Sequence, residues 1–185
     1  MEKKELSEEA KWCLRGIQLL QDDFASAVGA QIVMTDKEGN LITKMSGQQR
    51  VCQLIMGTEE GKKECEICYN SALNLVRTQK EPLFVECWAG FASLWVPITV
   101  EGEVVGSITG CGGRFSEGKK EEDLREYYLK LAEKLKIENK EDFLKAAIEE
   151  ITPVTKEEMK KRAEMLAKLV SILIKETALK EVFKR

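Results

Sequence analysis

The chain has 185 residues, which is enough for one domain with appendages or for two small domains. Hydrophobic residues make up 43% of it and charged residues 33%, which predicts a folded protein with a proper core. Its 29 basic and 32 acidic residues are mixed along the chain, and the lack of a basic face argues against nucleic-acid binding.

The first predicted element is a helix over residues 5–27. Apolar residues recur there at steps of three and four, which gives one apolar stripe along the helix. Ser7 followed by Glu8 and Glu9 suits a helix start, because carboxylates in the first turn complement the helix dipole. We assign residues 1–27 to an N-terminal helical segment.

Residues 28–116 have the pattern of a mixed α+β core. The predicted strands are residues 31–35, 41–43, 83–88, 92–100 and 104–110, and the predicted helices are residues 47–57 and 61–79. The last two strands are almost continuously apolar, as expected of strands that are buried on both faces. This order predicts an antiparallel sheet with helices packed on it, a layout typical of sensor domains.

Residues 117–185 are predicted to be a C-terminal helical extension. Helices are expected at residues 120–135 and 140–150, and a long one from Thr155 to the end. Thr155 and Glu158 have the spacing of a capping box at the start of that last helix.

The two terminal helices have similar apolar stripes, which suggests a helical seam between the two copies of a homodimer. The residues of this predicted seam are Leu6, Cys13, Ile17, Leu20, Leu166, Val170 and Leu173. The alternative is that both helices simply cover the core of their own domain.

The start of the chain is charged and has no apolar segment behind it, so we expect no signal peptide. The longest aliphatic stretch, residues 169–174, is too short to span a bilayer. We therefore expect a cytoplasmic protein without a membrane partner. Its cysteines are then predicted to be free thiols, metal ligands or redox groups rather than structural disulfides.

Four cysteines in the middle of the chain have the spacing of a thiolate metal site. Cys52, Cys65, Cys68 and Cys87 follow the pattern C-x12-C-x2-C-x18-C, and Cys111 is a reserve ligand. The chain has no histidine, so the site would be all-sulfur and would hold zinc or an iron–sulfur cluster. A redox-active thiol pair and inert packing of the cysteines are the alternatives.

Two further groups of residues accompany the cysteines. Trp88, Phe91 and Trp95 are grouped near a strand end, which predicts either a small-ligand pocket or core aromatics. The run Gly110-Cys111-Gly112-Gly113 allows close backbone approach to an anion or a cluster sulfur, and it is equally typical of a plain turn.

Several motifs within residues 20–116 resemble those of the PocR-type sensory domain. They are Asp23-Phe24-Ala25, Val33-x-x-Asp36-x-x-Gly39, Cys52-Gln53-Leu54-Ile55, Gly61-x-x-x-Cys65, Cys87-x-x-Gly90 and Pro97-Ile98-x-Val100-x-Gly102-x-x-x-Gly106. The resemblance implies a PAS-like fold and the sensing of small organic metabolites, with propanediol-type compounds as the archetype. Family members are usually joined to regulators or histidine kinases. Trp88 stands where the family commonly has a histidine, so no ligand contact of that histidine carries over.

The leading hypothesis is a stand-alone cytoplasmic sensor. It would bind a small organic ligand, a thiolate-ligated metal or an iron–sulfur cluster, and report through a dimer or a signalling partner. The alternatives are a thiol oxidoreductase, in which one cysteine attacks a substrate and another resolves it, and a structural zinc adaptor. The residues predict no catalytic group beyond the thiols.

Overall fold

The computed structural model describes residues 5–115 and 120–183, which form an α+β fold around one five-stranded sheet. The helices are α1 (Glu8–Val28), α2 (Arg50–Met56), α3 (Glu59–Gln79), α4 (Glu121–Lys134), α5 (Lys140–Leu144) and α6 (Lys156–Glu176). The strands are β1 (Gln31–Asp36), β2 (Leu83–Glu86), β3 (Ala92–Val100), β4 (Glu103–Phe115) and β5 (Thr152–Val154). A π-helical turn, Lys145–Glu149, continues α5, and a 3-10 helix, Ala178–Phe183, follows α6. The predicted fold class, a PAS-like antiparallel sheet with packed helices and a helix at each end, is confirmed.

Strand β4 is the centre of the sheet. The strand order is β1-β4-β3-β2 with antiparallel pairing throughout, and the short β5 pairs in parallel with the end of β4. The Thr155–Glu158 capping box is present at the start of α6, as predicted. None of the described helices has the combination of length and apolar character that a membrane span requires.

Three predicted elements differ from the structure, and one observed strand was not predicted. The last helix, predicted from Thr155 to the end of the chain, ends at Glu176 and is followed by the 3-10 helix. Residues 41–43 do not form a strand, and Leu41 makes only an isolated bridge to Thr35 on the outer edge of β1. Strand β4 runs five residues beyond its predicted end at 110, so the glycine-rich run lies within a strand rather than a turn. Strand β5 was not predicted. Residues 1–4, 116–119 and 184–185, which include the ends of the predicted helical segments, lie outside the described residues.

The sheet has two faces with different roles. Successive side chains along a strand point to opposite sides, so Ile32 and Ile108 lie on one face while Val33 and Thr109 lie on the other. The first face packs against α1 and α6, and we call it the helix-covered face. The second face, which we call the cavity face, lies beside α2 and α3.

The apolar stripes of the terminal helices are buried within their own domain. Ile17 of α1 and Leu166 and Val170 of α6 are all buried in the cluster on the helix-covered face. Cys13 and Leu173 pack against the same cluster, whereas Leu20 is about half exposed. The alternative stated for these stripes, that both helices cover the core of their own domain, therefore describes their buried residues, and the homodimer stays a prediction.

A second apolar cluster closes one end of the cavity face. Phe91, Tyr128 and Phe143 are buried at its centre, and it joins α2, α4 and α5. The rings of Phe91 and Tyr128 stack with their centroids 5.5 Å apart. Arg114 is buried and donates from Nη1 to the carbonyl oxygen of Ala147 at 3.1 Å, which ties β4 to the π-helical turn.

Candidate ligand site: a cysteine-lined cavity

A cavity of about 530 Å³ lies between the cavity face of the sheet and helices α2 and α3. Its lining is mostly apolar. The charged side chains among its lining residues are Lys62 and Glu66, which are exposed and of opposite sign. A concave apolar space with few polar groups is typical of a small-molecule site.

The register of the sheet explains why residues from distant parts of the chain meet here. Gln31 lies opposite Cys111 and Val33 lies opposite Thr109, so these side chains share one face of β1 and β4. On the other side of β4, Ser93 pairs with Cys111 and Trp95 with Thr109. The alternation along three strands therefore presents one continuous floor to the cavity.

All five cysteines singled out from the sequence line this cavity. Cys52 comes from α2, Cys65 and Cys68 from α3, Cys87 from the turn after β2, and Cys111 from β4. Their thiols are free. The sixth cysteine, Cys13, lies on α1 and packs against the helix-covered face.

The three aromatic residues predicted to border a pocket also line the cavity. Phe91 and Trp95 are buried and belong to apolar clusters, so they serve both as core residues and as cavity wall. The indole N–H of Trp88 donates to Cys65 Sγ at 3.3 Å. The sequence analysis did not single out Tyr69, whose ring centroid lies 4.9 Å from that of Trp95. Helical spacing from Cys65 would have found it, since it lies four positions beyond that residue.

The comparisons with known proteins bear on the family of this chain. The sequence model of the family described as "Sensory domain found in PocR" matches residues 14–178. The chain belongs to the PocR sensory-domain family. The match extends on both sides of the residues that carried the resemblance, and it includes α4, α5, β5 and α6. No curated protein and no solved structure gave a match.

The thiols of this PocR-family cavity differ in their acidity. Hydrogen bonds to the Cys52 and Cys87 sulfurs, together with burial, hold the pKa of Cys111 well above its ordinary value. The hydrogen bond from Cys111 lowers the pKa of Cys87 to about 7 against the opposing effect of burial. Burial raises the pKa of Cys65 and of Cys68. Cys87 is thus the cysteine most disposed to be a thiolate at neutral pH.

The five thiols match the chemistry of a soft-metal site. Within residues 5–115 and 120–183, no three Cys, Asp or Glu side chains are grouped so that they could hold one metal ion. The reserve ligand Cys111 is the thiol that lies beside both Cys52 and Cys87. The four-cysteine site for zinc or an iron–sulfur cluster therefore stays a prediction.

Two polar atoms of the cavity have no hydrogen-bond partner among the described residues. They are Oε1 of Gln31 and Oγ1 of Thr109, and both atoms are buried. Sequence reasoning missed both residues, although stepping back two positions from Cys111 along a strand leads to Thr109.

Proposed function

We propose that this chain is a sensor whose signal is a small organic molecule bound in the cysteine-lined cavity. The observation that carries the proposal is that the same strands form the floor of the cavity and the surface on which the terminal helices pack. On β1, Val33 lines the cavity while its neighbours Ile32 and Met34 pack with α1 and α6. A ligand that moves β1 or β4 therefore acts directly on the helices behind the sheet.

The output of the proposed sensor runs through the outer surface of α1 and α6. Each helix has an outward apolar row in addition to its buried stripe: Trp12 and Leu19 on α1, and Met165, Leu169 and Ile172 on α6. Exposed apolar rows of this kind mark surfaces that other proteins cover. In the proposal the partner is a second copy of the chain, or else a cytoplasmic signalling protein.

The proposal is tested by thermal shift with a panel of small neutral alcohols and aromatic compounds. A compound that binds the cavity should raise the Tm and also change hydrogen exchange in α1 or α6. Val33→Phe should abolish the shift, because its larger side chain occupies the cavity. Ile108→Val, a change on the helix-covered face, should retain it. A compound that protects the cavity without any change in either terminal helix would contradict the signalling role.

A thiolate-bound metal or cluster is the second candidate, and the observation favouring it is that five thiols line one cavity. Cys52, Cys65, Cys68, Cys87 and Cys111 would supply the ligands, and side chains would have to move to place three of the sulfurs around one metal ion. Protein purified without oxygen tests this candidate. Broad absorption near roughly 400 nm would indicate a cluster, and bound zinc in colourless protein would indicate a zinc site. Metal-free protein with a reversibly oxidised cysteine pair would favour thiol redox chemistry instead.

A further inference from the structure

The cavity face of the sheet holds two polar atoms in a place where an unpaired polar atom is costly. Gln31 Oε1 and Thr109 Oγ1 are buried without a partner in the part of the chain that is described. Thr109 is 93% buried as a residue, since its exposed fraction is 7%. Buried polar groups in folded proteins are nearly always hydrogen-bonded, so each exception calls for a physical reason.

Other polar side chains on the same face have hydrogen-bond partners within the protein. Thr35 Oγ1 and Ser107 Oγ lie 3.2 Å apart, and the Tyr69 hydroxyl donates to Thr35 Oγ1 at 3.2 Å. The indole N–H of Trp95 donates to Ser93 Oγ at 2.9 Å. The two unpaired atoms both belong to residues that line the cavity. Their partners are therefore expected from whatever fills it.

The positions of the two residues restrict the shape of that partner. Gln31 pairs with Cys111 and Thr109 pairs with Val33, so the two lie diagonally on neighbouring strands. Diagonal neighbours of this kind are about 7–8 Å apart at Cα, within reach of a single polar group held between the two side chains. The amide oxygen only accepts a hydrogen bond, whereas a threonine hydroxyl both donates and accepts. A ligand hydroxyl meets both requirements, because it donates to Gln31 and accepts from Thr109.

The other lining residues of the cavity indicate the chemistry of the rest of the ligand. The rings of Tyr69, Trp88, Phe91 and Trp95 all line it, and its charged lining residues are the exposed Lys62 and Glu66. Such walls favour a flat apolar ring and offer no buried cation to a carboxylate or phosphate. A molecule of five heavy atoms fills about 150 Å³, at about 30 Å³ for each water-sized group. The cavity volume of 530 Å³ is larger than such a molecule needs.

We infer that the cavity binds a neutral hydroxylated aromatic compound, a phenol, with Gln31 and Thr109 as the residues that select its hydroxyl. The phenol O–H donates to Gln31 Oε1 and its oxygen accepts from Thr109 Oγ1, while the ring lies among the aromatic side chains. This inference rests on the proposed function, because it names the chemical class of the ligand for the same cavity.

The binding test compares three probes by calorimetry: p-cresol, toluene and 1,2-propanediol. Toluene differs from p-cresol only in lacking the hydroxyl, so the pair isolates the contribution of the polar contacts. The intact chain should bind p-cresol about five- to tenfold more tightly than toluene, and 1,2-propanediol more weakly than either. Thr109→Val and Gln31→Met should reduce the preference for p-cresol to near unity while toluene binding stays the same or tightens.

A stability test needs no ligand. Thr109→Val removes a buried hydroxyl that has no partner and keeps the shape of the side chain, so it should raise the Tm of the free protein by roughly 2–4 °C. The matched control is Thr35→Val, on the same face of β1, where the hydroxyl is bonded to Ser107 and Tyr69. That change should lower the Tm.

Three outcomes would overturn the inference. Equal binding of p-cresol and toluene would mean that water satisfies the two atoms. Tighter binding of 1,2-propanediol would assign the cavity to small aliphatic alcohols. A fall in Tm for Thr109→Val like that of the Thr35 control would mean that the hydroxyl is paired within the protein. Failure of the proposed function looks different, because then no compound of the alcohol and aromatic panel would shift the Tm of the intact chain.

Discussion

The acidity of Cys87 is the residue-level property with the clearest chemical consequence. Only the thiolate reacts with alkylating agents, and a pKa of about 7 leaves Cys87 about half ionised at neutral pH. A thiol with the ordinary pKa of about 8.5 is only about 3% ionised there. We therefore expect iodoacetamide to modify Cys87 first among the cavity cysteines, with a rate that rises with pH, is half-maximal near pH 7 and levels off about one unit higher.

Peptide mapping of the alkylated protein over a series of pH values measures this order. Cys111→Ser supplies the control, because replacing the thiol changes the hydrogen bond that lowers the pKa of Cys87 and should move the midpoint of its reactivity. A midpoint of Cys87 reactivity near pH 9 in the unaltered chain would refute the assignment. So would faster modification of Cys111, whose pKa is raised.

Among the elements, the junction of α2 and α3 is the one that fixes the positions of the helix-borne thiols. Thr58 caps α3 by accepting from the backbone N–H of Gly61 at 3.0 Å, and Gly61 itself is buried against the last turn of α2. A methyl group at Gly61 would overlap the carbonyl oxygen of Ile55 and lie 2.7 Å from Thr58 Oγ1. Gly61→Ala should therefore lower the free energy of unfolding by about 2 kcal/mol, as measured by urea denaturation.

Gly16→Ala is the matched control for that change. Gly16 lies within α1, and a methyl group there meets no atom of the described residues within 4 Å. Alanine is the better helix former, so this variant should gain about 0.5–1 kcal/mol. If Gly61→Ala were as stable as the unaltered chain, the close packing of α2 on α3 would be wrong.

The elements show where periodicity succeeds as a predictor and where it fails. Helices such as α3 and strands such as β3 follow from local patterns of apolar residues. Periodicity did not reveal that residues 110–113 lie in a strand rather than a turn, because the glycines there serve close packing. A methyl group on Gly113 would lie 2.6 Å from the side chain of Val154 on β5, and one on Gly112 would lie 2.9 Å from Ala30. Glycine is there so that distant chain segments can approach β4, which a local pattern does not reveal.

The cysteines of the candidate site were predictable from the sequence, whereas its two unpaired polar residues were not. Cysteine spacing pointed to Cys52, Cys87 and the others, because rare residue types in a regular pattern stand out in a sequence. Gln31 and Thr109 did not stand out, since each is an ordinary polar residue within a strand. Their interest arises only from the sheet register and from the lack of a partner, and both are properties of the folded chain.

At the scale of the whole molecule, the terminal helices have a buried side and an outward side. The buried side rules out Leu166 as a probe of association, because a charge there would disrupt the domain itself. Leu19 and Ile172 are 67% and 60% exposed on the outward side. If the chain is a homodimer through this surface, Leu19→Glu together with Ile172→Glu should give monomers in sedimentation, with the Tm of the monomeric fold retained.

Lys160→Glu is the control for the added charge, since it changes the net charge by the same two units at an exposed position of α6 outside the apolar row. That variant should sediment as the unaltered chain does. A Leu19 and Ile172 double variant that remains dimeric would place the interface elsewhere on the molecule.

The central position of β4 also determines the order in which this chain can fold. Strand β1 finds its partner far along the sequence, since Gln31 pairs with Cys111, whereas β3 and β4 form a local hairpin through the tight turn at Glu101 and Gly102. Closing such a long loop before any pairing rewards it slows folding, and a chain emerging from the ribosome holds an unpaired β1 until β4 has been made. The cavity face and the helix-covered face then form in the same step, because both are faces of the β1–β4 pair.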